Sequence, residues 1–387
     1  MNSPISYNVP PLAGDEFDFI KDAIARKQIS GDGYYTRSCE SWIETRLKVP
    51  RTLLTHSCTA ALEMAALLAN LSPGDEVIMP SFTFVSTANA VALRGAIPVF
   101  VDIRPDTLNI DETRIEAAIT PKTRAIMVVH YAGVCAEMDE INQVAARHQL
   151  LVIEDSAHAF LATYRGRLAG TLGDLACLSF HETKNVVSGE GGALLVNRPQ
   201  FIASAEIIRE KGTNRKQFLQ GQVDKYSWVG LGSSYVPSEI TAAFLYAQLN
   251  AADQFTADRR ETWDYYYKAF AEAEHRGLVS RPRVPSHCVH NGHIFYLLMP
   301  TPAVRNEMLA VLNNDGINAI FHYIPLHSSE AGKRYGRAAE PLAVTDDIAS
   351  RLIRLPIWFG IGEKRIRVVE RVLAHLLKDA QCLQSAP

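Results

Sequence analysis

The residues from Ser179 to Gly192 read SFHETKNVVSGEGG, an order that sets one lysine between a strand and a glycine cluster. The apolar run Leu175 to Phe180 predicts a buried strand that gives way to the polar loop carrying Lys184. Gly189, Gly191 and Gly192 then let the backbone close on whatever the lysine holds. Upstream, a second apolar run, Leu150 to Ile153, ends in Glu154-Asp155-Ser156-Ala157-His158. A lysine and an acid at the carboxyl ends of two buried strands suit a pyridoxal 5'-phosphate (PLP) site. Lys184 would form the Schiff base and Asp155 would pair with the pyridine nitrogen. Such a lysine must act as a free amine, which a desolvated pocket favours. A carboxylate against the ring nitrogen keeps it protonated, so that the ring can accept electrons. The bland alternatives are a solvated lysine and an aspartate that caps the next helix. His158 could orient the ring or the aspartate, or serve as a hydrogen-bonded structural histidine.

A phosphate needs donors. Thr55-His56-Ser57-Cys58-Thr59-Ala60 lies where a strand turns into a helix, so Ser57, Cys58 and Thr59 present N–H groups and side chains at the positive helix end. An ordinary Ser or Thr N-cap would look the same. Ser179 is a further candidate ligand. Pro80-Ser81-Phe82-Thr83-Phe84 follows another strand, and Phe82 or Phe84 could stack on a flat heterocycle. The chain has no Walker pattern, no GxGxxG, no HExxH and no Ser-His-Asp order to support a competing chemistry.

The elements that must position these residues alternate between strand and helix from about residue 50 to 250. Strands are expected at Thr52 to Thr55, Glu76 to Met79, Ile97 to Asp102, Arg124 to His130, Leu150 to Glu154, Leu175 to Phe180 and Ala193 to Val196. Several are continuous apolar runs, as in strands covered on both faces. Helices are expected at Ala60 to Asn70 and at Glu137 to His148, whose acidic start and basic end suit the helix dipole. This predicts an α/β protein with a mostly parallel sheet sandwiched by helices, with sites beyond the carboxyl ends of the strands.

After Val236-Pro237-Ser238 the pattern changes to a long helix through Gln248, bent or continuous towards Phe270, and a Pro-rich connection. A strand (His293 to Met299), a helix (Val304 to Asn313), a strand (Asn318 to His322) and a last helix (Lys364 to Leu376) follow. We therefore expect a large domain over residues 31–250 and a smaller C-terminal α+β domain over 251–387, with residues 1–30 packing near the small one.

Composition narrows the class. A net charge of −3 over 387 residues gives no basic stripe for nucleic acid. The six cysteines show no CxxC pair or metal-ligand spacing, so reduced thiols, no metal and a cytoplasmic location are expected. The first residues lack the basic and apolar regions of a signal peptide, and the longest uncharged apolar run, Ala125 to Ala136, is too short for a membrane span.

Taken together, these residues resemble the DegT–DnrJ–StrS sugar-nucleotide aminotransferases, a branch of the aspartate-aminotransferase fold (fold type I). The likeness runs from Ile29-Ser30-Gly31-Asp32-Gly33 into the C-terminal domain. It is carried by Ser179 to Asn185 (SFHETKN), Arg209 to Arg215 (REKGTNR), Val223 to Trp228 (VDKYSW), Gly232 to Tyr235 (GSSY) and Phe321 to His327 (FHYIPLH). The resemblance implies Lys184 as the PLP-linked lysine, Asp155 as the pyridine partner, His158 near the cofactor, Phe84 over the ring, and Thr59 and Ser179 at the phosphate. Where relatives bring an asparagine from the partner subunit to the phosphate, this chain has Ser234, and a homodimer with shared sites is implied. Lys211, Arg215, His322 and Tyr323 would line the sugar-nucleotide side. The implied reaction moves an amino group from L-glutamate to a dTDP-linked 4-keto-6-deoxy sugar. Alternatives are a 3-keto or a UDP- or GDP-linked acceptor, or a catalytically silent PLP-binding regulator. A dehydratase of the same family would carry histidine in place of Lys184.

Overall fold

The computed structural model describes residues 3–384. Its strands are β1 (Arg51–Thr55), β2 (Glu76–Pro80), β3 (Ile97–Val101), β4 (Thr123–Val129), β5 (Leu151–Asp155), β6 (Thr163–Tyr164) and β7 (Arg167–Leu168), then β8 (Leu175–Ser179), β9 (Gly192–Val196), β10 (Cys288–Val289), β11 (Phe295–Leu298), β12 (Arg337–Ala338) and β13 (Leu352–Leu355). Eight of them form one sheet in the order β1-β9-β8-β5-β4-β2-β3-β12. Its pairs are parallel except those made by β9, which runs against both β8 and β1.

Helices cover both faces, which is why the strands read as unbroken apolar runs. Along β2, Val77 and Met79 join the core under helices Cys58–Leu68 and Val85–Ala92. Ile78 points to the other face, under helices Glu112–Ala118 and Met138–His148. This is the mostly parallel sheet sandwiched by helices that the sequence predicts.

A second core surrounds the antiparallel pair β11–β13 and draws on helices Ala252–Ala269, Pro302–Asn314 and Lys364–Gln384. The expected long helix is two helices, Glu239–Asn250 and Ala252–Ala269, separated at Ala251. The Ser238 hydroxyl caps the first by accepting from the Thr241 N–H at 3.2 Å. The N-terminal segment divides its packing. Ile5 bridges Ile317 and belongs to the second core, whereas helix Glu16–Ala25 buries Ala23 against the large sheet's side.

Several elements differ from the sequence reading, among them β13, the partner of β11, which it did not expect. Asn318 to His322 is not a strand but makes a single bridge, Ile320 to Arg354. Strand geometry would send neighbouring side chains to opposite faces, yet the His322 and Tyr323 rings lie 3.4 Å apart, facing one cavity. The edge strand β12 has no apolar run to announce it; Arg337 pins it by donating to both carboxylate oxygens of Glu76 at 2.9 Å. Among the described residues no helix is long and apolar enough to cross a membrane, no group of side chains could hold a metal ion, and five cysteines are free thiols.

Candidate active site

Parallel pairing of β5 with β8 brings the carboxyl ends of the two strands side by side, and with them Asp155 and the loop that carries Lys184. That loop is a tight bend rather than a free tether. Phe180 N donates to the Gly191 carbonyl, Ser188 N to the Phe180 carbonyl and Lys184 N to the His181 carbonyl. Lys184 and Asp155 both line a cavity of about 690 Å³, together with Ser57, Cys58, Thr59, Phe84, His158, Ser179, His322 and Tyr323.

Asp155 is buried. Its Oδ2 accepts from the Thr87 hydroxyl at 2.8 Å and its Oδ1 from the Ala157 N–H at 3.2 Å. Burial pushes the carboxyl upward, and these two donors and the Lys184 amine work against that rise. Burial also lowers the Lys184 ammonium, with Cys58 and Asp155 opposing it, so a free amine is easier to reach than on the surface. The His158 imidazole is held neutral by burial first, then by Lys184 and His322. The Tyr323 hydroxyl lies 3.3 Å from its Nε2, and its Nδ1 has no hydrogen-bond partner among the described residues.

The turn from β1 into helix Cys58–Leu68 supplies the donors. Ser57 is the N-cap, its hydroxyl accepting from the Ala60 N–H at 3.1 Å, so the ordinary cap reading of this serine holds. The Thr59 hydroxyl meets Ser86 at 2.8 Å on the cavity wall. Gly192 makes this cradle possible. A Cβ there would meet Cys58 N at 2.5 Å and the Ser57 carbonyl oxygen at 2.6 Å. Phe84 is 57% exposed, available to a flat ring, whereas Phe82 is buried against Tyr131.

These residues fit PLP: an amine, an ionisable carboxyl, an aromatic face and a first-turn cradle with hydroxyls. His158 Nδ1, orphaned and buried at the cavity, is a polar atom that a ligand would complete.

Three predicted residues do not line this cavity. Lys211 and Arg215 approach Glu210 at 3.9 and 3.6 Å, and Ser234 bridges the backbone of the same Glu210. They form an exposed cluster of their own. In the other direction, sequence reasoning missed Thr87, Ser86, His293, Tyr7 and Arg354. Ser86 and Thr87 follow closely on the Pro80 to Phe84 segment, a weak signal; His293, Tyr7 and Arg354 come from remote parts of the chain and left none.

Residues 12–373 match the DegT/DnrJ/EryC1/StrS aminotransferase family. GDP-perosamine synthase from Caulobacter vibrioides is 33% identical over 96% of this chain and 97% of its own. The dTDP-4-dehydro-2,3,6-trideoxy-D-glucose 4-aminotransferase of Saccharopolyspora spinosa is 31% identical over 94% of each. The solved structure of the aminotransferase TlmJ from Streptoalloteichus hindustanus superposes with a TM-score of 0.90 at 27% identity, covering 97% of this chain and 100% of that one. The lysine and aspartate that share one cleft, the cradle beside them and these likenesses agree: the chain belongs to the DegT/DnrJ/EryC1/StrS aminotransferase family and is a PLP-dependent sugar aminotransferase.

Proposed function

We propose that the protein transfers the amino group of L-glutamate to the C4 keto group of dTDP-4-dehydro-6-deoxy-D-glucose, giving dTDP-4-amino-4,6-dideoxy-D-galactose. The observation that carries the amino-transfer chemistry is the cavity shared by Lys184 and Asp155. The sugar and its nucleotide rest on the sequence segments that carry the family likeness, Phe321 to His327 above all.

PLP, when bound, supplies the carbonyl that takes up the amino group and the ring that draws electrons from the reacting carbon. The chain's own residues then have defined tasks. Lys184, favoured as a free amine by burial, removes the proton from the donor's α-carbon and later returns one to C4 of the sugar. Asp155, kept in place by Thr87 and Ala157, sets a negative charge against the ring nitrogen. His158 and Phe84 orient the ring face; Cys58, Thr59 and Ser179 hold the phosphate through amide and hydroxyl donors. His322 and Tyr323, tied to Tyr131 and His158 by contacts of 3.1 and 3.3 Å, bound the acceptor sugar.

The working unit in this reading is a homodimer in the cytoplasm. Lys211, Arg215 and Ser234 lie outside their own cavity beside exposed Trp228 and Leu231, an apolar surface that a second copy would cover. Ser234 would then serve the phosphate of the partner's site. The free thiols suit a reducing compartment.

The test is product analysis after incubation with L-glutamate and a panel of keto-sugar nucleotides. The expected product is the C4 amine of the dTDP sugar. Amination at C3, or a clear preference for a GDP- or UDP-linked acceptor, overturns the substrate while leaving the family chemistry in place.

A further inference from the structure

The hydrogen bonding of Asp155 does not end at Thr87. The Thr87 hydroxyl lies 2.9 Å from the hydroxyl of Thr83, four residues earlier, so two hydroxyls and the carboxylate stand in a row. All three residues are buried, and Thr83 lines the cavity that holds Lys184.

The hydrogens of this row have a fixed order. A hydroxyl carries one hydrogen and two acceptor sites, and an ionised carboxylate can only accept. Thr87 gives its hydrogen to Asp155 Oδ2 at 2.8 Å. Toward Thr83 it then offers only lone pairs, so Thr83 is the donor of the 2.9 Å bond. A hydroxyl that accepts a hydrogen bond is polarised and donates more strongly, by roughly 10–30% per bond in such chains. Thr83 thus acts on the carboxylate without touching it.

Helix capping does not account for this arrangement. Thr83 stands just before helix Val85–Ala92, whose N-cap is Phe84, and its hydroxyl meets the Thr87 side chain rather than a free N–H of the first turn. Other groups surround Asp155: Lys184 from its loop, His130 beyond β4, Cys58 from the cradle, Cys177 from β8 and Tyr323 from the segment before the small sheet's β13. Among the described residues, however, the hydrogen bonds to its carboxylate come from the Thr87 hydroxyl and the Ala157 N–H. The backbone fixes the second of these. Side chains set the first, through the threonine pair.

We propose that Thr83 is a positioning residue for the cofactor ring: through Thr87 it holds Asp155 as an anion, so that the proton shared with the pyridine nitrogen stays on the ring. The inference rests on the reading of Asp155 as the partner of that nitrogen.

Holoenzyme reconstituted with PLP enriched in the heavy isotope at its ring nitrogen reports the proton's position by nitrogen NMR, with neither amino donor nor sugar present. In Thr87→Val the carboxylate loses its hydroxyl donor and draws the proton off the ring, so the resonance should move toward that of a neutral pyridine. Thr83→Val should move it the same way by roughly 10–30% of that distance. Thr83→Ser, which keeps a hydroxyl, should restore the wild-type position. Because the influence passes through Thr87, Thr83→Val should add nothing in the Thr87→Val background. A resonance that Thr83→Val leaves in place overturns the proposal. So does an equal movement in the Thr87→Val background, which would mean that Thr83 meets the cofactor directly. Should Thr83→Val not fold, Thr83→Ala set against Thr83→Ser makes the same comparison. Asp155→Asn separates this inference from the reading beneath it. No response even there would take Asp155 away from the ring nitrogen and the proposal with it; a response there but none in Thr83→Val rejects Thr83 and leaves the PLP site standing.

Discussion

Asn185 Oδ1 accepts a hydrogen bond from His293 Nδ1 at 3.0 Å while Asn185 Nδ2 donates to the Asn291 carbonyl at 2.8 Å. The second bond fixes which way the amide faces, and the amide then fixes the ring: Nδ1 carries the hydrogen and Nε2 remains an acceptor. Burial first, then His158 and Lys184, keep this imidazole neutral. The residue after Lys184 is thereby tied to the segment entering β11, so the small sheet helps hold the lysine loop. Asn185→Ala strands a buried N–H and a buried carbonyl, and should cost about 1–3 kcal/mol of stability. Denaturant titration reads this as a lower midpoint at unchanged slope; an unmoved midpoint would remove the link's structural role.

Lys184→Ala should abolish steady turnover while leaving the fold and the cradle intact. General acid–base help alone is worth about 10²–10⁴-fold, and the alanine variant also loses the amine that holds the cofactor. Multi-turnover amino transfer by this variant, followed by product release over several cycles, would contradict the assignment.

Thr87→Val removes the hydroxyl that favours the ionised form of Asp155. Burial, the dominant influence, then pushes that carboxyl further up, so the acidic limb of the kcat/KM profile should move to higher pH. The sign is diagnostic, because a merely structural defect lowers activity at every pH without displacing the limb.

Gly192→Ala should weaken PLP binding. The added methyl meets backbone atoms of Ser57 and Cys58 well inside contact distance, so β9 or the cradle must shift. We expect a loss of about tenfold in cofactor affinity, equivalent to 1.4 kcal/mol. Equilibrium dialysis of PLP against wild type and variant checks it, and equal affinities would show that the turn is not the cradle.

Arg337→Met tests the edge of the large sheet. The Arg337 pair, and then the Thr120 hydroxyl, hold the Glu76 carboxyl below its usual value against burial. A carboxyl lowered in the folded state stabilises fully above its unfolded value and loses that contribution as pH falls through the folded one. The variant should therefore lose about 1–3 kcal/mol at pH 7 and progressively less as the pH falls below 4.5. A difference independent of pH would place the effect elsewhere.

Much of the frame was legible in the chain. Runs such as Val77-Ile78-Met79 announce strands covered on both faces, because a parallel sheet between helices leaves no polar face to alternate with. Lys184 and Asp155 could be singled out because each lies in the polar segment that ends such a run, and a strand's carboxyl end is where parallel sheets present ligands. What the sequence could not contain is the meeting of distant segments. Tyr7, His293 and Arg354 carry no local pattern, and they reach the cavity only because the N-terminal segment and the small sheet close over the carboxyl ends of β5 and β8. The same tertiary packing separates Lys211, Arg215 and Ser234 from their own cavity, gives Asp155 the Thr87 hydroxyl, and leaves Arg354 buried without an acceptor. Local propensity and period write the elements. Desolvation and long-range contact, which depend on where those elements dock, set the charge and reach of each group in the site.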